Sequence, residues 1–129
     1  MRDYQPKKNN KYLLPKSLYI ATLAFIRDHE RKLEEYEMIV QETKRRSDGM
    51  PRGSGKSSPT ERDGIRMAEL KDSIDAVERA LADIPEEYRK GIWENIVRAK
   101  RYPDDADRST YARHKQKFIF SVAANLFWI

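Results

Sequence analysis

The apolar residues Met67, Leu70, Ile74, Val77, Leu81 and Ile84 recur at alternating spacings of three and four. An α-helix turns once in about 3.6 residues, so this run lines up as one narrow seam, whereas a strand would need alternation by two. Such a seam packs along another helix at a shallow angle. It covers fewer than four heptads, which favours packing within the chain. A homodimeric coiled coil, and so a homo-oligomer, is the alternative. Ile84-Pro85 closes the seam, because proline disfavours helical backbone in the residue before it. At the other end Thr60, with Asp63 three residues on, is expected to cap the helix start.

The remaining segments also read as helices. From Pro15, a stripe of Leu18, Thr22, Phe25, Leu33, Tyr36 and Val40 runs to about Arg45, with His29 on it. It predicts one long helix, or two consecutive ones separated near Asp28-His29. Pro85, Glu86 and Glu87 open a short helix that buries Tyr88, Ile92, Trp93, Ile96 and Val97, and Gly91 within it marks a close helix crossing. Tyr102-Pro103-Asp104-Asp105 is a turn. Asp107 or Ser109 then caps a last helix to about Leu126, with Tyr111, Phe118, Ile119, Val122, Ala123 and Leu126 on its apolar side. The fold class expected is all-α, a small helical bundle of four to five helices. Residues 1–12 form a flexible or loosely docked basic tail, and 13–129 a single helical domain. A flexible loop over 47–59, rich in Gly, Pro and Ser, links the first long helix to the seam helix.

Several function classes are excluded by what the chain lacks. Without cysteine it has no disulfide, thiolate nucleophile or cysteine-ligated metal. Apolar stretches are broken by charge well short of the roughly 20 residues a membrane span needs, and the N-terminus lacks the apolar core of a signal peptide. No membrane partner is expected, and the location expected is the cytoplasm of a bacterial host cell. His29 and His114 stand far apart in no ligand spacing, so no metal site is expected, and His29 reads as a histidine at the core edge. Gly53-Ser54-Gly55-Lys56-Ser57 imitates the end of a phosphate-binding loop, but that motif needs glycine where Met50 stands and a strand upstream, where Thr43-Lys44-Arg45-Arg46 stands. Glu34-Glu35 and Glu86-Glu87 are adjacent on helices and diverge, so they read as solvated charge. No catalytic residue, enzymatic activity or cofactor is expected.

Net charge is +5 with a pI of about 9.4, which favours nucleic acid or an acidic partner. Its distribution says more. Arg27 to Glu42 carries three Lys/Arg against six Asp/Glu, and Asp63 to Asp83 repeats that ratio. Positive charge gathers in the tail, in the central linker, and in Arg98, Lys100, Arg101, Arg108, Arg113, Lys115 and Lys117.

A set of short motifs runs along most of the chain: Leu14-Pro15 with Tyr19, Phe25-Ile26-Arg27-Asp28, Tyr36, the loop Asp48 to Gly55 with Pro59-Thr60, and Val77 to Leu81. Ile84 to Arg89, Thr110-Tyr111, Lys117 to Ile119 and Val122-Ala123 complete it. In these the chain resembles small phage and prophage proteins of Gram-positive bacteria, the RinA/ArpU-like regulators of late transcription. None of the motifs is a catalytic fingerprint. The resemblance implies a helical protein with a sigma-factor-like helix-turn-helix in its C-terminal part, hence a DNA-binding regulator. One pairing makes Lys115 to Leu126 the first helix of that unit, and a recognition helix is then missing. The other makes Glu86 to Ala99 the first helix and Ser109 to Leu126 the recognition helix, which presents its N-terminal residues to base edges.

The leading expectation is therefore a phage-type DNA-binding regulator. Its nucleic-acid-binding residues are Lys100, Arg101, Arg108, Thr110, Arg113, His114, Lys115 and Lys117. The alternative is a phage protein-interaction module, an inhibitor or adaptor of a host or phage protein, with Phe127, Trp128 and Ile129 as its interface. A DNA-packaging accessory protein is a third reading.

Overall fold

A computed structural model describes residues 5–7, 10–47 and 58–129. It contains five helices: α1 (Lys16–Arg27), α2 (His29–Ser47), α3 (Ser58–Ala82), α4 (Glu86–Arg98) and α5 (Arg108–Asn125). No strand occurs among the described residues, so the protein is an all-α small helical bundle. The loop expected over 47–59, with its phosphate-loop imitation, lies mostly outside the described residues.

The described chain divides into two compact units, residues 1–28 with 76–129, and residues 29–75. The division cuts the seam helix α3 between Asp75 and Ala76. It also falls at the junction of α1 and α2, where Asp28 ends α1 and a new helix starts at His29. Of the two forms predicted for the first helical segment, the structure takes the two-helix one.

The first unit holds the main core. Leu23, Ile26, Ile92, Ile96, Tyr111, Phe118, Ile119 and Val122 are essentially inaccessible to solvent and form one cluster with Val77 and Ile84 of the seam. Burying each such side chain stabilises the fold by about 1.5–3 kcal/mol. Helices α1, α4 and α5 pack on one another around this cluster. On α1 the buried face is Tyr19, Thr22, Leu23 and Ile26, while Leu18 and Phe25 of the predicted stripe are half-buried. Gly91 marks the close crossing expected of it. A Cβ there would lie 2.8 Å from Pro103 Cδ and 2.8 Å from Tyr111 Cε1.

Helix ends in this unit are closed by long side chains. Arg89 donates from Nε to the Ile84 carbonyl at 2.7 Å and from Nη2 to that of Ala82 at 2.9 Å, satisfying acceptors that α3 leaves open. Arg27 Nε donates to the Ile96 carbonyl of α4 at 2.9 Å, and Asn125 Nδ2 to the Ala76 carbonyl at 3.0 Å. The described part of the N-terminal segment is docked. Gln5 exchanges two hydrogen bonds of 2.8 Å with the backbone of Leu14 and accepts a third from Gln116 of α5, and Tyr12 meets Phe120 edge-on at 5.4 Å.

The second unit is a pair of helical segments, α2 and the first part of α3. Arg66 of α3 forks onto the Glu35 carboxylate of α2, with Nε to Oε2 at 2.8 Å and Nη2 to Oε1 at 2.9 Å. That pairing holds the Glu35 carboxyl below its usual range. Leu70 and Ile74 of the seam are buried here, as is His29, while Leu33, Tyr36 and Val40 are half-buried. The backbone of α3 is already helical at Ser58, so Thr60 is an interior residue of the first turn instead of the predicted cap.

Candidate nucleic-acid interface

Helix α5 and the segment before it carry the eight residues expected to bind nucleic acid. Between Arg108 and Asn125 there is no acidic residue, against Arg108, Arg113, Lys115 and Lys117 and the imidazole of His114. Asp107 occupies the N-cap position but makes no side-chain bond to the amides of the first turn.

The eight residues divide between two faces. Arg108 and Lys115 turn toward a groove of about 980 Å³, which they line together with Ser109, Ala112, Gln116 and Arg101. Thr110, Arg113 and Lys117, spaced three and four apart, share a different face of the helix with His114. Arg113 is exposed, and Thr110, His114 and Lys117 are half-buried. Lys100 is not among the residues that line the groove, and its Nζ pairs with Glu94 Oε1 at 3.0 Å. Arg98 holds the other oxygen of Glu94 at 2.9 Å, and Lys100 and Arg98 together depress the Glu94 carboxyl.

Lys115 is anchored. Its Nζ donates to Asn95 Oδ1 at 2.8 Å, and Asn95 Nδ2 donates in turn to the Lys100 carbonyl at 2.8 Å. Asn95 is buried, so this bridge ties α5 to the C-terminal end of α4, where Ala99 bends the chain with a φ of 54°. By contrast, no ion pair among the described residues engages Arg101, Arg108, Arg113 or Lys117.

His114 stacks on Tyr88 of α4, with centroids 4.8 Å apart and planes 21° apart. Desolvation chiefly, then the charges of Arg113 and Lys117, hold its pKa below the ordinary value, while Glu87 acts in the opposite sense. Tyr111, on the buried side of α5, is fully inaccessible to solvent and donates to Asp105 Oδ1 at 2.6 Å. Burial and that bond push its pKa up to about 12.

The connection from α4 to α5 spans residues 99–107, longer than the three or four residues of a helix-turn-helix turn. It carries Tyr102, whose ring stacks on Tyr111 at 5.0 Å. Sequence reading did not single out Asn95 and Gln116, two buried polar residues that hold the site together. Their signal is an amide on the apolar side of an amphipathic helix.

At the other end of α5, Phe127 has a φ of 61°. Phe127 N–H donates to the Ala124 carbonyl and Trp128 N–H to that of Ala123, both at 3.0 Å, which closes the helix in a Schellman turn. The turn lays Trp128 edge-on against Phe25 at 5.5 Å and leaves Phe127 91% exposed. The three residues expected to form one interface are thus unequal: Trp128 docks on α1, Ile129 is half-exposed, and Phe127 points outward.

No protein-family model, curated protein or solved structure matches this chain.

Proposed function

We propose that the protein is a non-catalytic nucleic-acid-binding protein, a phage-type DNA-binding regulator that presents the N-terminal half of α5 to its target. The observation that carries this reading is the charge state of the helix. Arg108, Arg113 and Lys117 stand on a segment without a carboxylate and outside every ion pair among the described residues, whereas Arg66, Lys71, Arg98 and Lys100 are each paired with an acid. Unpaired cations, of which Arg113 and Lys117 stand four apart on one face of the helix, are suited to phosphates, which release condensed counterions on binding. The resemblance to phage late-transcription regulators points the same way. The long α4–α5 connection sets the arrangement apart from a tight helix-turn-helix, so phosphate contact is a larger part of this reading than base recognition.

Fluorescence anisotropy with a labelled duplex at several salt concentrations tests it. Affinity should fall with salt, and replacing Arg113 or Lys117 by alanine should lower the log–log slope by about 0.9 each. A salt-independent affinity, or none, overturns the reading.

A second reading, a protein-interaction module, draws on Phe127, a large apolar side chain 91% exposed. Phe127→Ala that abolishes capture of a host or phage protein, with duplex affinity absent, would favour it over the first.

A further inference from the structure

The groove beside α5 does not have the chemistry of a simple phosphate track. Its charged lining is Arg101, Arg108 and Lys115 against Asp104 and Asp107, three positive groups and two negative, a net of +1. A surface that only follows a polyanion gains nothing from two carboxylates at the same place, since they repel the phosphates that the arginines attract. The concavity lies between a loop and helix α5 and has a volume of about 980 Å³. That volume is the size of a small-ligand site. It asks for an occupant that carries both negative charge and hydrogen-bond donors.

A single nucleotide has this pattern. Its phosphate is negative, with one charge as the phosphodiester of a strand and about −1.5 to −2 as a free monoester, and cytosine, adenine and guanine carry exocyclic amino groups that donate to carboxylates. Thymine offers only one N–H, flanked by two carbonyl oxygens that a carboxylate repels. Tyr102, seated on Tyr111, adds an aromatic ring to the groove wall against which a base can stack.

We propose that this groove takes one unpaired nucleotide, with its phosphate on Arg101 and Arg108 and the amino group of its base on Asp104 and Asp107. The nucleotide can belong to a single strand or be a free mononucleotide. In its strand-borne form the proposal rests on the nucleic-acid reading above.

Anisotropy with single-stranded oligodeoxycytidine and oligodeoxythymidine of equal length tests it, since their phosphates are the same. The full chain should bind the cytosine strand about tenfold or more tightly, the ratio expected for a hydrogen bond to a charged group. The double variant Asp104→Ala/Asp107→Ala changes only exposed side chains. It should abolish the preference, with the thymidine strand bound at least as tightly because the repulsion is removed, and the cytidine strand losing the gain that the two carboxylates give it. Ala112→Phe, which fills the groove, should weaken both strands and leave duplex affinity unchanged.

Equal affinity for the two strands, or a preference that survives loss of both carboxylates, overturns the proposal, and a duplex salt response persisting beside that result leaves the α5 reading standing. In calorimetry with dCMP and dTMP, selective binding of dCMP with no strand or duplex bound retains the groove's ligand and removes the nucleic-acid reading. Absence of binding by strands and mononucleotides alike overturns the proposal.

Discussion

Lys115 and Asn95 are joined by a 2.8 Å hydrogen bond between an ammonium group and a buried carboxamide. The bond fixes the Lys115 ammonium on the groove side of α5, away from the face of Arg113 and Lys117, although a neutral carboxamide does not cancel its charge. Lys115→Ala should therefore leave the salt slope of duplex binding nearly unchanged, whereas Arg113→Ala and Lys117→Ala each lower it by about 0.9. Asn95→Ala removes the acceptor of Lys115 and the donor to the Lys100 carbonyl. It should lower stability by about 1–3 kcal/mol, read by denaturant unfolding.

His114 gives the site a pH signature. In the free protein its pKa is held down, first by desolvation and then by Arg113 and Lys117, with Glu87 opposing. The neutral form is favoured by folding, so this contribution to stability is present above the unfolded value of 6.5 and is lost as pH falls below it. A phosphate brought near Arg113 and Lys117 reverses the local field and raises the His114 pKa, so binding takes up a proton. Duplex affinity should rise as pH falls from about 7 to 5.5, by up to about tenfold where the bound phosphate raises that pKa by about one. His114→Gln should flatten that profile. A flat profile in the wild-type chain would place the nucleic acid away from this helix face.

The three-and-four spacing made the seam legible because one number, the helical repeat, decides which side chains share a face. Val77 and Ile84 accordingly sit in the core, and Leu70 and Ile74 are buried. Periodicity cannot tell which neighbours cover a stripe, so Tyr19 and Leu23, absent from the predicted stripe of α1, turned out to be among its buried residues. The same limit applies to the charges. Lys100, Lys115 and Arg113 look alike in the sequence, but Glu94 takes the first, Asn95 takes the second, and the third is outside every ion pair among the described residues. Those partners come from α4, and only the folded packing of α4 on α5 assigns them. Gly91 was readable because a residue without a Cβ in the middle of a helix costs about 1 kcal/mol relative to alanine and needs a compensating contact.

That contact yields a prediction at Gly91. Alanine there would gain helix propensity, but its methyl would stand 2.8 Å from both the Pro103 ring and the Tyr111 ring. Tyr111 is fully buried, stacked on Tyr102 and met edge-on by Tyr88, so it has little room to move away. Overpacking should outweigh propensity, and Gly91→Ala should lose about 1–3 kcal/mol in denaturant unfolding. Gly64 is the control. A Cβ at that helical glycine meets nothing within 4 Å, so Gly64→Ala should gain about 0.5–1 kcal/mol.

Tyr111 also limits the alkaline range. Its phenol is pushed up to about 12 by burial and by the bond to Asp105. The folded value lies above the unfolded one of 10, so the stability contributed by the neutral phenol is complete below pH 10 and is lost as pH rises toward 12. Tyr111→Phe should cost about 1 kcal/mol at neutral pH and remove part of the alkaline destabilisation, measured by unfolding across that range.

Phe127 separates a structural from a functional account of an exposed aromatic. Its φ of 61° places a non-glycine residue in the left-handed region, at a cost of about 1–2 kcal/mol. Little packing repays this, because the side chain is 91% exposed. The backbone turn is nevertheless needed, since it carries the Trp128 N–H to the Ala123 carbonyl and seats the indole on Phe25. Glycine makes the same turn without strain, so Phe127→Gly should raise stability by about 0.5–1 kcal/mol, the gain offset in part by the greater freedom of the unfolded chain. Trp128→Ala should instead lose stability, because it removes the edge-on contact with Phe25. A stabilised Phe127→Gly variant that keeps duplex affinity would show that the aromatic serves neither folding nor nucleic-acid contact, and would leave partner binding as the function to test for that side chain.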